Sequence, residues 1–242
     1  MTSRLPPTRP QARPAGNERR ASAKSSLAMG SSAMWLIAPM RDEKVAELAP
    51  RFHSAVNKHS ARPALQAAWR AWCEDPDLVP GRFPDPQPGH PTWVSPLPAV
   101  AAFDALACDL PWDDPEAEDV DMWAADLYDP LAEPVCVLVR KGSPVAALFH
   151  GIGPARAQML PGWLGNFLLA PDEVRALKPR VEQALTLSAE ETARVLQRIR
   201  DWLNEMGDSG DDDADQLLSG PLRCWRAAAE AGMGLCASQT RV

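Results

Sequence analysis

Eight of the chain's 25 prolines lie between Pro76 and Pro98, together with Gly81 and Gly89. A proline nitrogen has no hydrogen to donate, and in a helix its ring collides with the carbonyl four residues back. No continuous helix or central strand can cross this stretch. It reads as a long loop wrapping the body, or as a linker, and Phe83 and Trp93 within it favour a loop that packs down. A single globular domain from 34 to 242, with this loop inside it, is the expected organisation.

Apolar periodicity supplies the elements on either side. Met34-Trp-Leu-Ile-Ala-Pro reads as an opening strand. Arg41 to Ala49 carries Val45 and Leu48 at helical spacing, with Pro50 ending or restarting the helix. From Ala64 to Glu74, residues Leu65, Ala68, Trp69, Trp72 and Cys73 recur every three or four positions, an apolar stripe that belongs in a core. Ala99 to Leu110 makes a short helix through Val100, Phe103, Leu106 and Ala107. The runs Val135-Cys-Val-Leu-Val and Val145-Ala-Ala-Leu-Phe, joined through Lys141-Gly-Ser-Pro, predict a β-hairpin over about 135–150. Both runs are nearly all apolar, so helices should cover the hairpin on both faces.

The remaining helices carry their own punctuation. Pro171-Asp-Glu-Val opens one through Val174, Leu177 and Val181, with the acids at its positive end. Ser188-Ala-Glu-Glu191 is a capping box, in which hydroxyl and carboxylate satisfy backbone donors reciprocally. Val195, Leu196, Ile199, Trp202, Leu203 and Met206 then form a buried face, and Gly207 supplies a left-handed stop. Pro221 to Glu230 reads as the closing helix. Together these define an α+β fold, helix-rich, with a small sheet built on the hairpin and the Met34 strand and no internal repeat.

Apolar residues make up 45% of the 242, ample for a core, and no apolar run approaches the roughly 18 residues of a membrane span. Cys73, Cys108, Cys136, Cys224 and Cys236 are odd in number and form no CxxC pair, so reduced, mostly buried thiols are expected rather than a disulfide framework or a zinc ribbon. The net charge of −7 hides two regions. Residues 1–33 hold Arg4, Arg9, Arg13, Arg19, Arg20 and Lys24 against Glu18, a net of +5, which leaves −12 for 34–242. This basic leader has too few bulky apolar residues to offset its ordering entropy and reads as disordered. Arg19-Arg20 invites an export-signal reading, but Lys24, Gly30 and the serines interrupt the apolar core such a signal needs. Met29 and Met34 offer later starts, and a start assigned too early is the preferred explanation. A body this acidic repels nucleic acid and anionic membrane, and it suits plain solubility or a basic partner in the cytoplasm.

Several motifs fail on close reading. Gly207-Asp-Ser-Gly210 copies part of a serine-protease nucleophile loop, but Asp211 follows and no histidine motif precedes it. Asp211, Asp213 and Asp215 alternate as in a calcium loop, yet Gln216 stands where the turn needs glycine and Leu222 where a glutamate should close the site. His53, His59 and His90 lack ligand spacing, so no metal, cofactor or catalytic residue is assigned. His150-Gly-Ile-Gly-Pro-Ala-Arg156 lacks the third glycine of a dinucleotide fingerprint, and Pro154 removes a donor. As a glycine turn it could still edge a ligand pocket formed by His150, Gly151, Gly153, Arg156, Trp163 and Asn166.

The most unusual segment runs from Asp109 to Glu133, with ten acids, no Lys or Arg, and Trp112, Trp123 and Tyr128. Acids interleaved with large aromatics suit a protein-binding patch in which rings anchor and charges steer. Its candidate contacts are Trp112, Asp113, Asp114, Glu118, Asp119, Asp121, Trp123 and Tyr128. The alternative is that the tryptophans face inward and pin an acidic loop. The leading expectation is a non-enzymatic protein, such as an immunity or antitoxin-like factor, covering a basic partner protein. Its rivals are an enzyme or small-ligand binder with a pocket near 150–166, and a structural subunit whose basic leader docks elsewhere.

Overall fold

The computed structural model describes residues 32–76, 98–113, 134–208 and 211–241, all within one compact unit, Ser31–Val242. The basic leader, the proline-rich stretch and most of the acidic segment lie outside the described residues.

Four antiparallel strands form the sheet: β1 (Ala33–Met40), β2 (Val135–Val139), β3 (Phe167–Leu169) and β4 (Gly234–Arg241), in the order β2-β1-β4-β3. β1 is the strand expected at Met34. β4 runs full length against it, with Trp35 opposite Gln239 and Ile37 opposite Ala237. The eight residues of β4, Gly-Leu-Cys-Ala-Ser-Gln-Thr-Arg, show little β-branching and no clean alternation, so burial between two neighbours makes this strand rather than propensity.

The helices are α1 (Asp42–Ser60), α2 (Pro63–Glu74), α3 (Pro98–Cys108), α4 (Pro144–Ile152), the short α5 (Pro154–Ala157), α6 (Pro171–Leu185), α7 (Ala189–Glu205) and α8 (Asp211–Ala231). α1 does not stop at Pro50. A proline inside a helix costs roughly 3 kcal/mol, and burial of Val45, Leu48, Phe52 and Val56 on one stripe overrides it. The acids read against a calcium loop open α8, and Pro221 lies inside that helix rather than at its start.

The hairpin is corrected in its second arm. β2 is a strand, but Val145 to Phe149 belongs to α4. Ser143 caps that helix by accepting from Ala146 N at 3.1 Å, and Pro144 occupies its first turn. A short, wholly apolar run fits a buried helix as well as a buried strand, and here the cap decides. β2 is not covered on both faces either: Val135, Val137 and Val139 are buried while Cys136 and Leu138 are exposed.

One face of the sheet carries Trp35, Ile37, the three β2 valines, Leu235 and Ala237 into the main core against α2, α3, α4, α6, α7 and α8. The other face sets Met40, Leu168 and Cys236 against α1, with Leu110 and Trp112 completing a smaller cluster. α4 and α7 cross closely at Gly151, where a Cβ would stand 2.5 Å from Ile199 Cγ1. No helix among the described residues is long and apolar enough to cross a membrane.

Candidate functional site

The interior holds a connected seam of polar side chains centred on Gln239 of β4, which is 2% exposed. Its Oε1 accepts from Ser143 Oγ at 2.7 Å, and its Nε2 donates to the Ala107 and Leu164 carbonyls at 3.2 and 3.0 Å. Gln239 N donates to Asn166 Oδ1 at 2.8 Å, and the Gln239 carbonyl accepts from Trp112 Nε1 at 2.7 Å. Buried polar groups are costly unless paired, so this seam fixes β4 against three loops at once.

Two acids extend the seam to residues 140–143. Asp208 accepts from Arg140 N at 2.9 Å and Lys141 N at 3.0 Å. Asp104 accepts from Ser143 N at 2.6 Å and from the Cys108 thiol. Burial pushes the Asp104 carboxyl up to about 6, the Ser143 and Cys108 donors oppose that, and the Asp208 charge adds to it. Gly207, at φ 81°, closes α7 as expected and delivers Asp208 to this position, so the protease-like letters mark a helix stop.

Beside the seam, the chain makes a tight two-residue turn. Trp163 and Asn166 exchange backbone hydrogen bonds at 3.0 Å, and the residues between them, Leu164 (φ 48°) and Gly165 (φ 76°), both adopt left-handed conformations. That is the signature of a type I′ turn, which glycine tolerates and leucine resists. Asn166 holds the turn by donating to the Trp163 and Leu164 carbonyls, and Trp35 Nε1 donates to the Gly165 carbonyl at 3.0 Å.

The turn presents Trp163 to a cavity of about 220 Å³ walled by Trp69, Phe149, Trp163 and Leu164, with Gln158 and Gly162 at its exposed rim. The Trp69 ring centroid lies 5.9 Å from that of Trp163 and 6.1 Å from that of Phe149, with planes 60° and 64° apart. Trp163 Nε1 donates to His59 Nδ1 at 3.0 Å. An indole N–H can only donate, so His59 carries its proton on Nε2, which faces Asp109 Oδ1 at 3.2 Å. Arg62 reaches the same carboxylate oxygen at 3.1 Å.

The residues expected to line a pocket near 150–166 are divided by this geometry. Trp163 lines the cavity. Asn166 lies behind it, within the seam. Gly151 admits the close approach of α7, and Gly153, at φ 78°, joins α4 to α5. Arg156 donates to the Gln183 and Ala184 carbonyls at the end of α6 and to Glu191 at the start of α7. The His150 ring stacks obliquely 5.0 Å from Trp202. These four residues sit at contacts between helices and do not line the cavity beside Trp163, because the hairpin end that would have gathered them is a helix.

Of the acidic segment, Asp109 is bound to His59 and Arg62, and Trp112 is 4% exposed, 5.3 Å from Phe52. Trp112 is therefore an inward anchor rather than a partner contact. Asp113 ends the short 3₁₀ turn Pro111–Asp113. Asp114, Glu118, Asp119, Asp121, Trp123 and Tyr128 lie outside the described residues.

Comparison with family models, with curated proteins and with solved structures finds no match. Among the described residues no group of three His, Cys, Asp or Glu is placed to hold a metal ion. Burial pushes the Cys224 and Cys236 thiols up to about 12, which makes them packing groups rather than nucleophiles. Cys73 and Cys108 are half-buried and Cys136 is exposed, so only two of the five thiols are fully buried.

Residue type alone did not reveal the cavity. Trp69 reads from sequence as one member of a core stripe and Phe149 as part of a hairpin. The one local signal is Gly162-Trp-Leu-Gly-Asn166, glycines three apart flanking a tryptophan.

Proposed function

We propose that the protein is a non-catalytic binding protein that engages a basic partner protein through its acidic, aromatic segment, as an immunity or antitoxin-like factor would. The observation that carries this reading is the concentration of ten acids without a single Lys or Arg between Asp109 and Glu133. It is supported by the way both ends of the segment are held: Asp109 and Trp112 are bound to α1 and β4, and Val135 begins β2. Fixed ends lower the entropy lost when the intervening acids meet a partner. Rim charges act mainly on association rate and on salt dependence.

The test is recovery of partners from the protein's own cell lysate at low and moderate salt, with wild type and with a Glu118→Gln, Asp119→Asn, Asp121→Asn variant. A basic protein recovered by wild type at low salt and lost from the variant is the expected result. Recovery of no basic protein, or equal recovery by both, contradicts the reading.

One observation favours a second reading, a small-ligand protein with its pocket in the 150–166 region: the cavity beside Trp163. A metabolite that binds there raises the unfolding temperature by mass action, which a thermal-shift screen detects.

A further inference from the structure

We infer that the cavity walled by Trp69, Phe149 and Trp163 receives a quaternary ammonium group, an inference that rests on the second reading above and names its ligand class.

Size comes first. A volume of about 220 Å³ is below the roughly 300–1,000 Å³ of drug-sized sites, so a nucleotide or flavin does not fit and a compact head group does. The walls come next. Three aromatic rings border the space, the Trp69 ring packing tilted against Trp163 at 60° and edge-on against Phe149 at 64°. Ring faces carry the negative part of the aromatic quadrupole and attract cations within about 6 Å.

The lining then discriminates among cations. Among the described residues, Gln158 is the one amide side chain lining the cavity, and no carboxylate lines it. A primary ammonium brings three N–H donors and a guanidinium five, and no carboxylate among the described lining residues would pair with their charge. A quaternary ammonium brings no such donor. Anions are disfavoured as well, because neither Lys nor Arg among the described residues lines the cavity, and Arg180 donates to the Gln158 backbone carbonyl.

Two further features tune the site. Trp163 donates its N–H into a chain running through His59 to the Asp109 carboxylate. Donation along such a chain polarises its members, which makes the indole more electron-rich, and it locks the ring in place. The backbone is also held in uncommon conformations here, with Leu164 left-handed between Gly162 (φ 77°) and Gly165. Strain at a non-glycine residue persists where the surroundings enforce it, and such positions cluster at ligand sites.

The full-length protein is titrated with choline and, at matched ionic strength, with its neutral isostere 3,3-dimethylbutan-1-ol, following tryptophan fluorescence and calorimetry. Choline should bind about tenfold more tightly, the scale of a partly desolvated cation–π contact. Trp163→Leu should erase the difference between the two ligands. Trp163→Phe, which keeps a ring but loses the bond to His59, should retain part of it, so the test survives if the leucine variant does not fold. Equal affinity for choline and the alcohol, or binding of neither, overturns the proposal. A peptide carrying trimethyllysine, compared with the same peptide carrying lysine, separates the sources. Tighter binding than choline assigns the group to a partner protein, and weaker binding assigns it to a free small molecule. Stabilisation by some unrelated metabolite without choline binding overturns the ligand class and leaves the pocket itself standing.

Discussion

The turn from Trp163 to Asn166 divides two neighbouring regions of opposite character. On the Asn166 side lies the polar seam, where Gln239, Ser143, Asn166, Asp104 and Asp208 are buried and every one of them is hydrogen-bonded. On the Trp163 side lies an aromatic cavity with space still open between its walls. The seam contains the residue types that suggest chemistry, and its hydrogen-bonding capacity is directed at backbone groups and at its own side chains. The cavity contains residue types that suggest plain core, and of the two regions it is the one with open space. Residue type by itself would assign the two regions the wrong way round.

The largest effect is expected at Asp208. Asp208→Ala leaves the N–H groups of Arg140 and Lys141 without their acceptor, and about 3 kcal/mol of stability should be lost, read as a lower urea midpoint at unchanged slope. A variant as stable as wild type would mean that the seam does not hold the fold.

Asp104 sharpens the same region through pH. Its carboxyl is raised from 3.8 to about 6, so between those values the native state keeps a proton the unfolded chain has lost. Its contribution therefore makes stability fall as pH rises from about 4 to about 6, and level off above, by about 2–3 kcal/mol in all. Asp104→Asn keeps an acceptor for Ser143 N and removes the titration. The variant should gain on wild type across that window in urea unfolding at stepped pH, and parallel curves would refute the assignment.

Gly151→Ala tests the packing behind the cavity. Its new methyl meets Ile199, and overpacking of this kind costs about 1–3 kcal/mol. The cost should shrink in an Ile199→Ala background, a non-additivity that a double-mutant cycle measures. The smallest effect on stability belongs to Trp163→Phe. It leaves His59 Nδ1 without the indole donor and should lower stability by about 1 kcal/mol, while still altering ligand preference.

Much of the fold is legible in the chain because its helices announce themselves. Ser188 and Glu191 form the reciprocal cap at 2.9 and 3.2 Å, and the stripe from Val195 to Leu203 is buried as its spacing implies. The Met34 strand and the α2 helix follow for the same reason, each pattern being local, although of the expected α2 stripe only Leu65 and Trp72 are buried and Ala68 is exposed. What stayed hidden depends on tertiary context. Val145 to Phe149 is apolar on all sides, so periodicity could not separate strand from helix, and the Ser143-Pro144 cap was the signal to weigh. β4 has no strand pattern of its own. The cavity needs Trp69, Phe149 and Trp163, residues up to 94 positions apart, and no spacing rule brings them together.

The division between seam and cavity is tested most directly by titrating choline into two variants, Asp208→Asn and Trp163→Leu, with urea unfolding of each alongside. The seam variant should unfold at lower urea yet bind choline within about twofold of wild type, while the cavity variant should stay folded and lose affinity by about tenfold or more. An Asp208→Asn protein that loses as much affinity as Trp163→Leu, or a Trp163→Leu protein that binds choline like wild type, would contradict the account.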